Sequence, residues 1–158
     1  MAHVYLIDGN NLMGQRVGWH RDKAAARDQL LQELARFVQR KKTRVAVVFD
    51  GRPAINIADG SSFRSVKVYY AREGSDADSR ILEFVERERN RKALTVVTSD
   101  LQLLGRVRAS GVRVLRSGEF RRMLEEDDGE AAEAEPRIRK EELGQWMRYF
   151  GVDETDDE

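Results

Sequence analysis

The stretch HVYLIDGNNL, residues 3–12, is a short apolar run that ends in an aspartate and a glycine-containing turn. The same arrangement returns in VAVVFDG at residues 45–51 and in LTVVTSD at residues 94–100. Near-continuous apolar runs of this length are typical of strands that are buried on both faces, as in a parallel sheet. The three stretches therefore predict neighbouring strands of one α/β domain, each followed by an aspartate.

Amphipathic segments separate the apolar runs, and residues 51–64 have the Gly, Ser and Pro content of a loop. This alternation predicts βαβ units with right-handed crossovers. The expected fold is a three-layer Rossmann-like sandwich around a parallel sheet of about five strands. The predicted strands are His3–Ile7, Val45–Phe49, Val66–Tyr70, Leu94–Thr98 and Val112–Leu115, and the predicted helices are Asp22–Arg40, Asp78–Asn90, Leu101–Ala109 and Gly118–Leu124.

The chain has 158 residues, of which 41% are hydrophobic, so we expect one compact domain, spanning residues 1–124. Residues 125–136, EEDDGEAAEAEP, are acidic and of low complexity, which predicts a linker. Residues 137–150 predict an amphipathic helix, because Leu143, Trp146, Met147 and Phe150 recur at helical spacing. Residues 151–158 predict an acidic disordered tail.

Charge is unevenly distributed along the chain. Residues 1–124 hold 24 Lys and Arg against 14 Asp and Glu, whereas residues 125–158 hold 4 against 14. A basic body joined to an acidic tail favours a polyanionic partner, and a well-solvated body with a solubilising tail explains the pattern equally well. The lack of cysteine excludes disulfide and zinc–thiolate chemistry. Because neither a signal-peptide pattern nor an 18-residue apolar segment occurs, we expect a cytoplasmic protein without a membrane span.

Aspartates follow the strands at the edge where α/β proteins bind ligands. Asp8, Asp50 and Asp100 come directly after strands, and Asp76 and Asp78 stand at a helix start. Because the carboxyl ends of parallel strands share one edge, these side chains could converge. Each aspartate alone has a structural explanation as a cap or turn residue, but three such strand ends together favour a site. All-oxygen sites suit Mg²⁺ or Mn²⁺, and phosphodiester hydrolysis is their natural chemistry.

Four motifs in this order resemble the NYN domain, and more closely its YacP-like branch within the PIN-like nuclease superfamily. They are DGNNL and VVFDG after the first two strands, ADSRI at a helix start, and VVTSD after the fourth strand. The matching order covers about residues 3–124. The resemblance implies a Rossmann-like sandwich, divalent-metal dependence and endoribonuclease activity. It also implies that Asp8, Asp78 and Asp100 form the principal acidic site, completed by Asp50.

The resemblance extends to residues beside the acids. Asn11 matches the amide after the first aspartate and could orient Asp8 or hold a metal-bound water, and Ser99 matches the small hydroxyl residue before the last aspartate. The chain departs from the pattern where relatives carry an acid shortly after ADxRI, since Leu82 stands there with Glu83 beside it. Asp76 is an extra acid that could act as a metal ligand or merely begin the helix.

RNA must reach the carboxylate edge, so loops at that edge are expected to contact it. Residues 14–21 offer Arg16, Trp19 and Arg21, and residues 51–64 offer Arg52 and Arg64. An aromatic ring among cations suits base stacking with phosphate contact, which makes single-stranded RNA the expected partner. The structural alternatives are a Trp19 that folds onto the body and a plain flexible loop.

The sequence therefore predicts a Mg²⁺- or Mn²⁺-dependent endoribonuclease. Two alternatives stay open at this stage: a catalytically weak PIN-like module that binds RNA, and a nuclease that acts on DNA. A receiver-like or phosphatase-like protein is disfavoured, because Asp8-Gly9-Asn10 lacks the second acid and Arg116-Ser117 lacks the late lysine that those classes use.

Overall fold

The computed structural model describes residues 3–133, and for residues 126–133 it describes the backbone alone. Strands and helices alternate through this range, with short 3-10 turns at Trp19–Arg21 and Arg91–Ala93. The strands are β1 (Val4–Asp8), β2 (Arg44–Phe49), β3 (Ser61–Phe63), β4 (Val66–Tyr70), β5 (Leu94–Val97) and β6 (Arg113–Leu115). The helices are α1 (Gly9–Met13), α2 (Lys23–Lys41), α3 (Ala77–Arg87), α4 (Leu101–Ala109) and α5 (Ser117–Glu133).

The strands form one sheet in the order β3–β4–β2–β1–β5–β6, and all pairs except β3–β4 are parallel. The predicted α/β class and its parallel sheet are thus confirmed. Ile7 of β1 lies level with Val47 of β2 and Val97 of β5, so these three strands end at the same edge. The residues that follow them, including Asp50 and Asp100, therefore share that edge with Asp8.

The sheet has one strand more than expected, because β3 lies inside the predicted loop 51–64. β3 and β4 are joined by Arg64 and Ser65, which both have positive φ (47° and 76°). Two positive φ values in a two-residue connection are typical of a tight hairpin turn, which normally carries Asn or Gly. Neither residue occurs here, so the sequence offers no ordinary signal for this hairpin.

Apolar side chains fill both sides of the sheet. On one side, Leu6 and Val96 belong to a buried cluster with Ile81 of α3 and Val107 of α4. On the other side, Tyr5 packs its ring against the rings of Phe37 in α2 and Phe120 in α5, at 5.8 and 5.4 Å between centroids. Burying one such large side chain contributes about 1.5–3 kcal/mol. This two-sided burial explains why the strands are near-continuously apolar.

The C-terminal end of the described chain differs from the prediction. The last helix continues to Glu133 instead of ending at Leu124, so the first residues of the expected linker are helical. The reason is local, because the segment is rich in Glu and Ala, which are strong helix formers. Its low complexity led to the prediction of a linker in spite of that propensity. The division of the chain into two units falls between Arg121 and Arg122, within α5. The predicted helix over 137–150 and tail over 151–158 lie outside the described residues.

Two smaller features complete the fold. Helix α3 ends at Arg87, before the predicted Asn90, because Glu88 adopts an extended conformation. No helix between residues 3 and 133 is long and apolar enough to cross a membrane.

Gly9 sets the distance between α1 and the sheet, which predicts a large cost for any side chain there. A Cβ atom at this position would lie 2.6 Å from Cδ1 of Phe49 and 3.0 Å from Cγ2 of Val47, both fully buried. We expect Gly9→Ala to lower the free energy of unfolding by about 1–3 kcal/mol, the usual cost of an overpacked core. Chemical denaturation of both proteins measures this difference.

Gly105→Ala is the matched control, because a Cβ there meets nothing within 4 Å in the exposed face of α4. Alanine favours helix over glycine by about 1 kcal/mol, so this change should be neutral or stabilising. Equal effects of the two substitutions would contradict close packing at Gly9.

Candidate active site

The structure brings together the four aspartates that the sequence singled out. Asp8 ends β1 and is only 5% exposed, Asp50 follows β2, Asp78 is the second residue of α3, and Asp100 begins α4. Burial, together with the negative charges of Asp78 and Asp50, raises the pKa of Asp8 to about 7, against the lowering effect of a hydrogen bond from Thr98. The carboxylates are therefore close enough to repel one another.

Asp78, at the start of α3, also has a raised pKa. Partial burial, together with the charges of Asp100, Asp76 and Asp50, raises its pKa to about 6. A hydrogen bond between the side chains of Asp78 and Asp100 contributes to this raised pKa of Asp78. Asp78 does not cap its helix, because Asp76 occupies that position.

Asp50 and Asp100 have structural roles as well. Oδ1 of Asp50 accepts a 2.8 Å hydrogen bond from the backbone N–H of Ala77, the first residue of α3. Oδ1 of Asp100 accepts from the N–H groups of Gln102 and Leu103 at 3.0 and 3.3 Å, which caps α4. A structural role does not exclude a role in the site for these two residues, because these hydrogen bonds also fix each carboxylate at the sheet edge.

Thr98 joins two of the aspartates directly. Its side chain is fully buried, and Oγ1 donates to Oδ2 of Asp8 at 2.9 Å while accepting from the backbone N–H of Asp100 at 3.1 Å. One hydroxyl group thus fixes the distance between the ends of β1 and β5. Sequence reasoning missed this residue, and a polar side chain closing the apolar run LTVV is the signal that could have found it.

Asn11 holds the neighbouring loops in place. Its Oδ1 accepts hydrogen bonds from the backbone N–H of Ser99 at 2.8 Å and from the hydroxyl of Ser117 at 2.6 Å. Ser117 is fully buried and donates its own N–H to Oγ of Ser99 at 3.0 Å. The backbone N–H of Asn11 also hydrogen bonds to Asp8. Asn11 and Ser99 therefore position the acids, and Ser117 is a partner that sequence reasoning missed.

A second pair of residues fixes the turn after β2. Oδ1 of Asn10 accepts from the backbone N–H of Asp50 at 3.0 Å. The guanidinium of Arg27 donates to the carbonyl oxygens of Asp50 and Arg52 and lies over the ring of Tyr70, 5.3 Å from its centroid. These contacts set the position of Asp50 relative to β1.

The two doubtful acids lie at the margin of this group. Asp76 is exposed and caps α3 by accepting from the N–H of Ser79 at 2.9 Å, and the hydrogen bonds from Ser79 hold its pKa below the usual value. Glu83 binds Arg72 at 2.9 Å, and this hydrogen bond lowers its pKa. Glu83 is therefore paired with Arg72 and not with the other acids, whereas the negative charge of Asp76 helps to raise the pKa of Asp78.

The loop 14–21 is anchored by a buried ion pair. Glu33 of α2 is 4% exposed and binds Arg121 at 2.7 Å and also Arg16. Trp19 is half-buried, and its ring centroid lies 5.7 Å from Nζ of Lys23. Together with Arg16, Glu33 and Arg121 it lines a pocket of about 230 Å³. Trp19 thus lies against the body, the alternative considered above. Arg21 also lines the pocket and is exposed.

The loop 51–64 places its two predicted contact residues in solvent. Arg52 and Arg64 are exposed, and the guanidinium of Arg64 lies 5.7 Å from the ring centroid of Phe63. Arg52 follows Asp50 closely, so its side chain starts at the carboxylate edge. Arg64 stands in the β3–β4 turn, and Val66 after it lies level with Val45 at the start of β2. Arg64 is therefore at the opposite edge of the sheet from the aspartates, so its predicted place at the carboxylate edge is wrong.

The donor chemistry of the four aspartates fits a hard divalent cation. Between residues 3 and 133 no three His, Cys, Asp or Glu side chains are grouped closely enough to hold a metal as they stand. Mg²⁺, however, usually keeps several waters and binds through one or two carboxylates plus substrate phosphate. A cation also relieves the repulsion that raises the pKa values of Asp8 and Asp78.

Two solved structures have a similar fold. The crystal structure of the W164L mutant of Rae1 (YacP) from Bacillus subtilis has a TM-score of 0.69 and 23% identity, over 88% of this chain and 85% of that one. A crystal structure of Rae1 (YacP) from the same organism has a TM-score of 0.66 and 24% identity, over 95% and 88%. Comparison with curated protein sequences gives no match.

The family comparison extends further along the chain than the motifs do. The model of the YacP-like NYN domain matches residues 5–149, past the Leu124 boundary expected from the sequence. The match includes all four strand-end motifs and the aspartates they carry. The chain therefore belongs to the YacP-like NYN domain family of PIN-like nucleases.

Proposed function

We propose that this chain is a divalent-metal-dependent endoribonuclease that hydrolyses RNA phosphodiester bonds in the cytoplasm. The observation that carries the proposal is the group of four aspartates at one edge of the sheet, where burial and the charges of neighbouring carboxylates raise the pKa values of Asp8 and Asp78. Carboxylates that repel one another on a rigid sheet edge cost stability, and such a cost is typical of functional sites. Membership of a nuclease family supports the same chemistry.

Asp8, Asp78 and Asp100 would hold Mg²⁺ or Mn²⁺, with Asp50 completing the acidic site and Asp76 as a further candidate ligand. A bound cation supplies Lewis acidity toward the phosphate and lowers the pKa of a water molecule. The chain's own groups fix the geometry, since Thr98 orients Oδ2 of Asp8.

Exposed cations beside the site are proposed to bind the RNA backbone. Arg21 and Arg52 stand in the loops that follow β1 and β2, and Arg16 and Trp19 line the pocket next to Arg21. Phosphate contacts of this kind supply affinity, which falls steeply with salt. Single-stranded RNA is the proposed substrate.

One assay tests the proposal. Purified protein is incubated with end-labelled single-stranded RNA and with DNA of the same sequence, in Mg²⁺, in Mn²⁺ or in EDTA. We expect internal cleavage of RNA with either cation and none with EDTA. Cleavage in EDTA would overturn metal dependence, and cleavage of DNA in preference to RNA would identify a deoxyribonuclease.

One observation favours a second candidate, a module that binds RNA without cutting it. In the described part of the chain the acids do not form a closed group of three at metal-binding distance. RNA binding without cleavage in both cations would select this candidate.

Metal binding predicts a thermal shift. A cation that binds only the folded protein stabilises it by about 2.7 kcal/mol at a hundredfold excess over its dissociation constant. We therefore expect Mn²⁺ to raise the melting temperature of the wild type, and the double variant Asp8→Asn/Asp100→Asn to lose this response. Glu83→Gln is the control, because Glu83 pairs with Arg72 and should leave the shift intact. An equal shift in all three proteins would place the metal elsewhere.

A further inference from the structure

Three large apolar side chains point fully into solvent. Val17, Ile55 and Leu101 are 103%, 106% and 70% exposed, whereas every other large apolar residue of known exposure between residues 3 and 125 is buried or half-buried. Single exposed apolar residues are common on protein surfaces. What requires an explanation is that these three residues all follow strands that end at the carboxylate edge.

All three lie on connections that leave the carboxylate edge. Val17 belongs to the connection after β1 and α1, Ile55 to the connection after β2, and Leu101 directly follows Asp100 after β5. The strands β2, β1 and β5 are neighbours in the sheet, in that order. The connections that carry the exposed residues therefore follow the same three strands that carry Asp8, Asp50 and Asp100.

The backbone beneath two of these side chains is firmly held. Before Val17, Arg16 binds the buried Glu33 and donates its N–H to the carbonyl of Met13 at 3.0 Å. Leu101 follows Asp100, whose carboxylate caps α4. Neither backbone is free to turn its apolar side chain back toward the core.

Ile55 stands at the tip of an anchored turn. Ala54 and Ile57 form a β-bridge on either side of it, and the hydroxyl of Tyr70 donates to the carbonyl of Ile57 at 2.8 Å. The side chain of Ile55 is thus presented to solvent by a fixed backbone. A ligand that buries it would not have to order the turn first, which lowers the cost of binding.

The charge of the same connections indicates the kind of ligand. Exposed Arg21 and Arg52 stand four and three residues from Val17 and Ile55. Apolar contacts beside cations suit a single strand, whose bases offer flat apolar faces and whose backbone offers phosphates. In an RNA duplex the base faces are stacked inside, and only phosphates and groove edges remain within reach.

We propose that Val17, Ile55 and Leu101 contact unpaired nucleobases next to the scissile phosphate, so that the site selects unpaired over duplex RNA. This inference rests on the proposed function in taking RNA as the substrate and the aspartate edge as the place of cleavage. It attributes the preference for unpaired over duplex RNA to apolar contacts with the bases. The phosphate contacts of the arginines act in addition to these.

Binding without catalysis tests the proposal. The full chain is titrated in EDTA into two fluorescent RNAs of equal length, one unpaired and one a blunt duplex, and anisotropy is measured. A serine variant (Val17→Ser, Ile55→Ser, Leu101→Ser) should lose about tenfold or more affinity for the unpaired RNA, because three aliphatic side chains no longer bury apolar surface against the bases. Its affinity for the duplex should not change.

An apolar variant (Val17→Ile, Ile55→Val, Leu101→Met) is the matched control and should bind the unpaired RNA as the wild type does. Equal melting temperatures of the three proteins exclude a folding defect. In the cleavage assay the serine variant should raise KM more than it lowers kcat. An equal loss on both RNAs, or no loss on either, overturns the proposal. A wild type that binds selectively but does not cleave would instead refute the proposed function.

Discussion

Replacing Asp8 or Asp100 by asparagine is expected to lower the rate of RNA cleavage by at least about a thousandfold. A metal site lowers the barrier of phosphodiester hydrolysis by several kcal/mol, and each 1.36 kcal/mol corresponds to a factor of ten in rate. Both residues belong to the group whose charges act on one another at the sheet edge. Single-turnover cleavage of labelled RNA in Mn²⁺ measures the loss.

The fold and the RNA contacts should survive both changes, because asparagine keeps the shape of the side chain. Glu86→Gln is the matched control, since it removes an exposed acid from α3 without touching the site, and it should cleave at the wild-type rate. A near-wild-type rate for Asp8→Asn or Asp100→Asn would remove that residue from the proposed ligand set.

Asp8→Asn should also stabilise the metal-free protein at neutral and alkaline pH. Burial raises the pKa of Asp8 from 3.8 to about 7, so folding favours the protonated form. The stabilisation that this provides is complete below pH 3.8 and is lost as the pH rises through about 7. A shift of about three units corresponds to about 4 kcal/mol, which is an upper bound on the gain from the substitution at pH 8.

The difference in unfolding free energy between the two proteins, measured in EDTA from pH 4 to pH 8, reports on Asp8 and on its coupling to Asp78. His3 titrates in the opposite sense, because burial lowers its pKa to about 4 and its folded form favours the neutral ring at higher pH. His3 is present in both proteins, and its contribution cancels in the difference. A difference that stays constant across this range would contradict the raised pKa of Asp8.

Three of the four acids were predictable because one rule places them. Residues that follow parallel strands share an edge, and Asp8, Asp50 and Asp100 obey that rule without any knowledge of strand order. Asp78 needed the family resemblance as well, since an aspartate at a helix start is also a common cap. In the structure Asp76 is the cap, and Asp78 faces Asp100.

The residues that hold the acids were not predictable in the same way. Thr98 and Ser117 act through partners 90 and 106 positions away, and no local pattern encodes such contacts. The exposure of Val17 and Ile55 could not be predicted either, because an apolar residue in a loop is as often packed beneath the loop as exposed to solvent. Strand β3 escaped prediction for a local reason, since its turn lacks the usual Asn or Gly.

The position of β1 at the centre of the sheet has a consequence for biosynthesis. The first strand pairs with β2 soon after both are made, but its other neighbour, β5, follows about ninety residues later. Contacts of such long sequence separation form late in folding. Ser117, whose hydroxyl donates a hydrogen bond to Oδ1 of Asn11, is translated later still. A growing polypeptide therefore lacks the complete acidic edge until nearly the whole body has been translated, so its proposed activity against RNA would arise only once synthesis of that body is finished.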